Sequence, residues 1–106
     1  MAANVKDEIL AVGELKLDEG NRTVTVMDKD VRITKTEFAI LEVFLRNSKQ
    51  VLTVTALLNN IYTTTPDCTA MSLKQHVGNL NRKLKKVGGK DYIEAVPGLG
   101  FRMIMY

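Results

Sequence analysis

The segment HVGNLNRKLKK, residues 76–86, combines an apolar stripe with small polar groups and cations. At about 100° per residue, the stripe extends in both directions and comprises Leu73, Val77, Leu80, Leu84 and Val87. The opposite side carries Met71, Gln75, Gly78, Asn79, Arg82 and Lys86, flanked by Lys74 and Lys85. Glutamine and asparagine can pair with adenine and arginine with guanine, while lysine suits phosphate. The pattern predicts a helix that rests on a core and presents a DNA-binding face, although a solvated surface helix has a similar composition.

Gly78 lies in the middle of this polar side, where it costs about 1 kcal/mol of helix stability relative to alanine. A glycine has a purpose at such a position if another backbone must approach the helix closely. Gly78 is therefore consistent with a functional polar side.

Residues for other kinds of chemistry are few. His76, the single histidine, lies at the edge of the apolar stripe and fits a structural, hydrogen-bonded role better than a catalytic one. Cys68, the single cysteine, cannot form an internal disulfide, has no neighbouring cation to activate it, and fits a reducing cytoplasm. One histidine and one cysteine cannot supply a four-ligand zinc set. We therefore predict no catalytic residues, no metal, no cofactor and no enzymatic activity.

The charges are divided unevenly along the chain. The net charge is +3, but residues 1–69 carry 8 Lys/Arg against 10 Asp/Glu, whereas residues 70–106 carry 7 against 2. These balances of −2 and +5 suggest that the C-terminal part faces an acidic partner.

Length and composition predict one globular domain, since the chain has 106 residues, of which 45% are hydrophobic and 25% charged. No window approaches 18 consecutive apolar residues, and the N-terminus has no apolar signal core, so we expect a cytoplasmic protein without membrane contact. We assign residues 1–12 to a lead-in or linker and residues 13–106 to the domain.

The predicted elements follow in a simple order. The segments ELKL, RTVTVM and VRIT predict three antiparallel strands, with DKD as the second turn. Thr34 and Glu37 form a capping box that begins the first helix, and Thr53 can cap a short second helix. The third helix begins near residue 69 or 70 and ends at a glycine pair, residues 88–89, before a hairpin whose PGLG turn places glycines at positive φ. The fold class is α+β, a winged helix-turn-helix with an N-terminal antiparallel sheet, three helices and a C-terminal β-hairpin wing.

Four segments resemble the C-terminal effector domain of OmpR/PhoB-type response regulators: ITKTEFAILEVFLRN, VLTVTALLNNIY, HVGNLNRKL and IEAVPGLGFRM. The family patterns are L-T-x-x-E-F-x-L-L, V-L-(S/T)-x-x-x-L-L, V-D-V-H-I-x-x-L-R-x-K-L and V-R-G-x-G-Y-R, in the same order and spacing. The resemblance covers residues 13–106 and is that of a divergent member. It implies a sequence-specific transcriptional regulator whose third helix enters the major groove while the wing reaches toward the minor groove.

The resemblance also implies site residues and partners. The DNA contacts would come from the third helix and the wing, through Ser72, Lys74, Gln75, Gly78, Asn79, Asn81, Arg82, Lys85, Lys86, Gly98 and Arg102. The loop between the second and third helices would contact RNA polymerase through Thr63, Thr64, Thr65, Pro66 and Asp67. Such domains bind double-stranded DNA as homodimers on tandem or repeated half-sites and follow a receiver domain. Because no receiver lies within these 106 residues, we expect a fragment of a longer protein.

The sequence departs from the family pattern in the third helix and the wing, the two parts that would contact DNA. Lys74 and Gln75 replace the usual Asp and Val before the histidine, while Gly78, Asn79 and Asn81 replace basic residues. Pro97 stands where the wing arginine is common, which puts an arginine contact with the minor groove at that position in question. We therefore expect this protein to prefer a DNA sequence different from those of other family members.

A winged-helix protein-interaction module that does not bind DNA is the alternative. The charge of the C-terminal part and the Gln/Asn/Arg face favour DNA. A protein hot spot is enriched in exposed aromatic residues, and most of the Phe and Tyr residues here are expected to be buried.

Overall fold

The N-terminal part of the protein is an antiparallel meander in the computed structural model, which describes residues 8–106. Its strands are β1 (Ile9–Val12), β2 (Leu15–Asp18), β3 (Thr23–Val26) and β4 (Lys29–Asp30), adjacent in that order. Alternate residues of β2 and β3 are buried, namely Leu15, Leu17, Val24 and Val26. The two-residue period of these strands therefore turns one face of the sheet toward the core.

The boundary between lead-in and domain lies earlier than predicted. Residues 9–12, assigned to the lead-in, form β1, because Leu10 and Val12 pack against the core while the backbone pairs with β2. Residues 1–7 of the predicted lead-in lie outside the described residues.

The strand predicted at VRIT is wrong. Met27 and Asp28 have φ values of 51° and 65°, which make a two-residue hairpin turn, so strand pairing resumes already at Lys29. One further backbone hydrogen bond, donated by Val31 N to Val24 O at 2.9 Å, follows before the chain leaves the sheet. The turn thus lies one residue earlier than DKD, and the last strand is shorter than predicted.

The first two helices begin where the sequence predicts. At the start of α1 (Lys35–Arg46), Glu37 N donates to Thr34 Oγ1 at 3.1 Å and Thr34 N donates to Glu37 Oε1 at 2.8 Å. The short helix α2 (Val54–Ile61) follows Thr53, whose hydroxyl oxygen accepts a hydrogen bond from the first turn. These side chains satisfy amide groups that have no partner inside a helix.

The third helix, α3 (Ala70–Gly88), also has the predicted bounds. Thr69 caps its N-terminus, and Gly89 ends it with a φ of 79°, a left-handed conformation that glycine adopts without strain. Lys83 Nζ lies 2.7 Å from Glu37 Oε1, and Glu37 is buried. The carboxylate that caps α1 therefore also fixes α3 against it.

The C-terminal hairpin consists of β5 (Ile93–Val96) and β6 (Gly100–Met103). Gly98 has a φ of 77°, as predicted for the turn, but Gly100 does not have a positive φ. Gly100 is needed for another reason, since a Cβ there would lie 2.0 Å from the carbonyl oxygen of Leu52. Two backbone hydrogen bonds of 2.7 and 2.9 Å join Leu52 to β6, so the wing is anchored to the segment before α2.

A carboxylate pair lies where the sheet meets α1. Glu19 is buried, and one of its oxygens lies 2.6 Å from Arg46 Nη2. Its other oxygen, Oε1, has no hydrogen-bond partner among the described residues. Burial, together with the neighbouring Glu19 carboxylate, raises the pKa of Glu42 to about 7. Glu42 therefore keeps its proton to a higher pH than an exposed glutamate does.

The winged-helix architecture is confirmed by this arrangement of sheet, three helices and hairpin around one core. Within residues 8–106, no helix is both long enough and apolar enough to cross a bilayer.

Candidate nucleic-acid interface

Helix α3 has the two sides that its sequence predicts. Leu73, Val77, Leu80 and Leu84 are buried in the core, and Val87 is half-buried at its edge. The opposite side is exposed at Met71, Lys74, Gln75, Gly78, Arg82, Lys85 and Lys86, and Asn79 is half-buried. His76 is half-buried, at the edge of the apolar stripe. The core therefore holds α3 with its polar side toward solvent, where a partner can reach it.

Arg82 is oriented along this exposed side. Its Nη1 donates to Asn79 Oδ1 at 2.8 Å, one turn toward the N-terminus. The contact leaves the other guanidinium donors available, and it limits the conformations that Arg82 samples before it meets a partner. Asn79 therefore positions Arg82 in addition to any contact of its own.

The cations of α3 differ in how far they are neutralised within the domain. Lys85 Nζ lies 3.7 Å from Asp91 Oδ1, and both side chains are about half exposed, so the pair is weak. Lys74 and Lys86 have no ion pair with another described residue. Lys83 is different, because its contact with buried Glu37 gives it a structural role. The free positive charge of the helix thus lies on its exposed side.

Asn81, predicted to contact DNA, holds the hairpin within the domain. Its Oδ1 accepts hydrogen bonds from Tyr92 N at 2.8 Å and Ile93 N at 3.0 Å, and its Nδ2 donates to Asp91 Oδ1 at 2.9 Å. These bonds give Asn81 a structural role at the start of the wing. Its contact with DNA stays a prediction.

Ser72 is also engaged within the protein. Its hydroxyl accepts from Thr69 N at 2.9 Å, and Ser72 N donates to Thr69 Oγ1 at 3.1 Å, which completes a capping box at the start of α3. Sequence analysis predicted the helix start but not this reciprocal pair, since serine replaces the usual glutamate or glutamine. Ser72 therefore orders the first turn of α3.

The wing carries less free positive charge than predicted. Arg102 Nε lies 2.6 Å from Glu94 Oε2 on the paired strand. Between these two residues the hairpin is uncharged, with Gly98 and the apolar Leu99 exposed at its tip. Lys90, just before the wing, lies 3.2 Å from Glu14 Oε2, and this contact lowers the pKa of Glu14. The wing therefore offers an apolar tip and a partly neutralised arginine.

The loop predicted to contact RNA polymerase is a compact turn between α2 and α3. Thr64 N and Thr65 N both donate to Ile61 O, at 3.0 and 2.8 Å. Thr63, Pro66 and Asp67 are exposed. The loop therefore displays three side chains on an ordered backbone.

The helical trio, the anchored hairpin and the polar side of α3 define a winged-helix domain. Residues 28–103 match the family described as "Transcriptional regulatory protein, C terminal", and the chain belongs to that family. This confirms the resemblance to OmpR/PhoB-type response regulators.

Individual relatives agree with this assignment. The chain is 33% identical to the transcriptional regulatory protein QseB of Escherichia coli O157:H7 over 91 residues, which are 86% of this chain and 40% of QseB. It is 34% identical to the response regulator protein PmrA of Pseudomonas aeruginosa over 92 residues, which are 87% of this chain and 40% of PmrA. The chain thus spans less than half the length of these relatives.

A solved structure with a similar fold is the Klebsiella pneumoniae RstA DNA-binding domain in complex with the RstA box. The similarity covers 91% of this chain and 96% of that one, with a TM-score of 0.75 and 25% sequence identity.

Proposed function

We propose that this chain is the DNA-binding effector domain of a transcriptional regulator of the response-regulator type. Helix α3 lies in the major groove and the hairpin wing is directed toward the minor groove. The observation that carries the proposal is the exposed side of α3, where Gln75, Asn79 and Arg82 project away from a stripe fixed in the core. An α-helix fits the major groove, and these side chains match base edges there. The similarity to a domain solved in complex with its DNA site supports DNA binding by this chain.

Phosphate contacts follow from the free cations. Lys74, Arg82, Lys85 and Lys86 lie on the exposed side of α3, whereas Lys90 and Arg102 are paired within the domain. Arg82 is assigned to a base edge, so if the other three helix cations each neutralise one phosphate, log K falls with log salt at a slope of about −2.7. A helix that binds a neutral protein surface has no such dependence.

The test is in vitro selection from a random duplex library with the 106-residue chain, followed by anisotropy titrations of the selected duplex at several salt concentrations. We expect one enriched sequence, with a slope near the value above. Absence of an enriched sequence, together with a flat salt response, would contradict the proposal and favour a protein-interaction module.

The loop between α2 and α3 is proposed to contact RNA polymerase through Thr63–Asp67. Asp67→Ala should leave affinity for the selected duplex within about twofold, because the loop lies outside the exposed side of α3. The amount of transcript made in vitro from a promoter that carries the selected site should differ between Asp67→Ala and the unaltered protein. Equal losses of binding and transcription would refute a separate polymerase contact.

Within a longer cytoplasmic protein, we infer that the domain acts as one half of a homodimer on tandem or repeated half-sites. The lengths of the relatives support a longer protein, since each is more than twice the matched region. A duplex with two selected half-sites should bind two copies of the full-length protein cooperatively. Independent binding of the two copies would contradict the inference.

A further inference from the structure

Met71 is the most exposed large hydrophobic residue among residues 8–106, at 84% of its surface. An isolated apolar side chain on a surface is ordinary, so its exposure alone carries no function. Its position is informative, because Met71 lies in the first turn of α3 and in line with Gln75, Gly78 and Arg82. All four face away from the buried stripe of the helix.

The exposed side of α3 divides into two chemically different halves. Arg82, Lys85 and Lys86 lie in its C-terminal half, whereas the N-terminal half has Lys74 as its one cation. The remaining outward residues of that half are uncharged. At Gly78 a Cβ would meet nothing within 4 Å, so no contact within the domain requires the glycine. This half can therefore approach another molecule closely but offers little charge to attract it.

The N-terminal residues of a recognition helix are those that reach base edges. In this first turn, the Ser72 hydroxyl is engaged by Thr69, which leaves Met71 as the large side chain directed outward. The apolar group on the major-groove edge of DNA is the 5-methyl group of thymine. A methionine side chain is flexible and polarizable, and it adapts well to such a contact.

Resting on the proposed function, we infer that Met71 is a specificity-determining residue that contacts the 5-methyl group of a thymine. Gln75 follows about 6 Å along the helix axis, which places an adenine contact about two base-pair steps away. The preferred site then contains a thymine whose methyl group, rather than its hydrogen-bonding atoms, is recognised.

The test replaces each thymine of the selected duplex in turn by 2′-deoxyuridine, which removes the methyl group and keeps the base pair. For the unaltered chain, one replacement should weaken binding about fourfold, the effect of losing one buried methyl group. Met71→Ala should bind the thymine and deoxyuridine duplexes equally. Met105→Ala, which truncates an exposed methionine outside α3, should keep the discrimination.

The outcomes separate this inference from the proposed function. A selected site that binds tightly but shows no deoxyuridine effect would overturn the role of Met71 and leave DNA binding intact. A deoxyuridine effect that survives in Met71→Ala would do the same. Failure to select any sequence would overturn the proposed function, and this inference with it.

Discussion

Gly78 provides a test in which fold stability and function move in opposite directions. Its backbone is helical without a positive φ, and a Cβ there would meet nothing within 4 Å. Gly78→Ala therefore gains helix propensity without a steric penalty and should stabilise the domain by about 1 kcal/mol. For a domain of this size, that gain corresponds to a rise in Tm of about 4–8 °C.

The same methyl group should weaken DNA binding, because it lies on the exposed side of α3 between Gln75 and Arg82. If the helix backbone approaches the groove floor at Gly78, the added Cβ separates the two surfaces. We expect affinity for the selected duplex to fall at least about fivefold, which corresponds to about 1 kcal/mol.

Circular dichroism melting and fluorescence anisotropy measure the two effects on the same samples. Gly88→Ala is the matched control in the same helix, since its Cβ would lie 2.2 Å from the hydroxyl oxygen of Tyr92. This variant should lower the Tm. A lower Tm for Gly78→Ala, or unchanged DNA affinity, would refute the assigned exposure and role of this position.

Two further predictions concern contacts within the domain. Asn81→Ala should destabilise the fold by about 1–3 kcal/mol in denaturant titration, because Tyr92 N and Ile93 N lose their acceptor. Unchanged stability would contradict the structural role of this side chain. The pKa of Glu42 is raised from 4.5 to about 7, so between these pH values the folded state holds a proton on Glu42 that the unfolded state has lost. The free energy of unfolding should therefore fall by about 1 kcal/mol, after allowance for solvent screening, as the pH rises from 4.5 to about 7. Glu42→Gln should reduce this slope, and an unchanged slope would show that another group titrates.

Elements governed by nearby residues were predictable from the sequence. The helix starts follow from threonine hydroxyls that bond within three residues, at Thr34, Thr53 and Thr69. The two sides of α3 follow from the spacing of its apolar residues alone. Hence the sequence alone predicts which residues of α3 lie on its exposed side.

Features set by distant partners could not be placed. Nothing local indicates that Asn81 bonds to the start of β5, or that Gly100 must leave room for the Leu52 carbonyl. The VRIT segment has the composition of a strand, but the turn at Met27 and Asp28 makes pairing begin already at Lys29, and only Val31 of the segment still bonds to β3.

The charge on the wing shows the same limit. The sequence alone gives no sign that Arg102 is paired, but the hairpin register places it directly across from Glu94, with which it forms an ion pair. Its contribution to DNA affinity is therefore expected to be smaller than that of Arg82.

The central claim, that the exposed side of α3 binds DNA, is tested most directly by a matched pair of arginine truncations. Arg82→Ala removes a cation from that side, and Arg32→Ala removes one from an exposed position between β4 and α1. Both variants lose one charge and should keep the Tm, since neither side chain is in the core. The measurement is affinity for the selected duplex and for a scrambled duplex by fluorescence anisotropy. Arg82→Ala should lose about 1–3 kcal/mol on the selected duplex and discriminate less against the scrambled one, whereas Arg32→Ala should stay within about twofold. Equal effects of the two substitutions would contradict the claim.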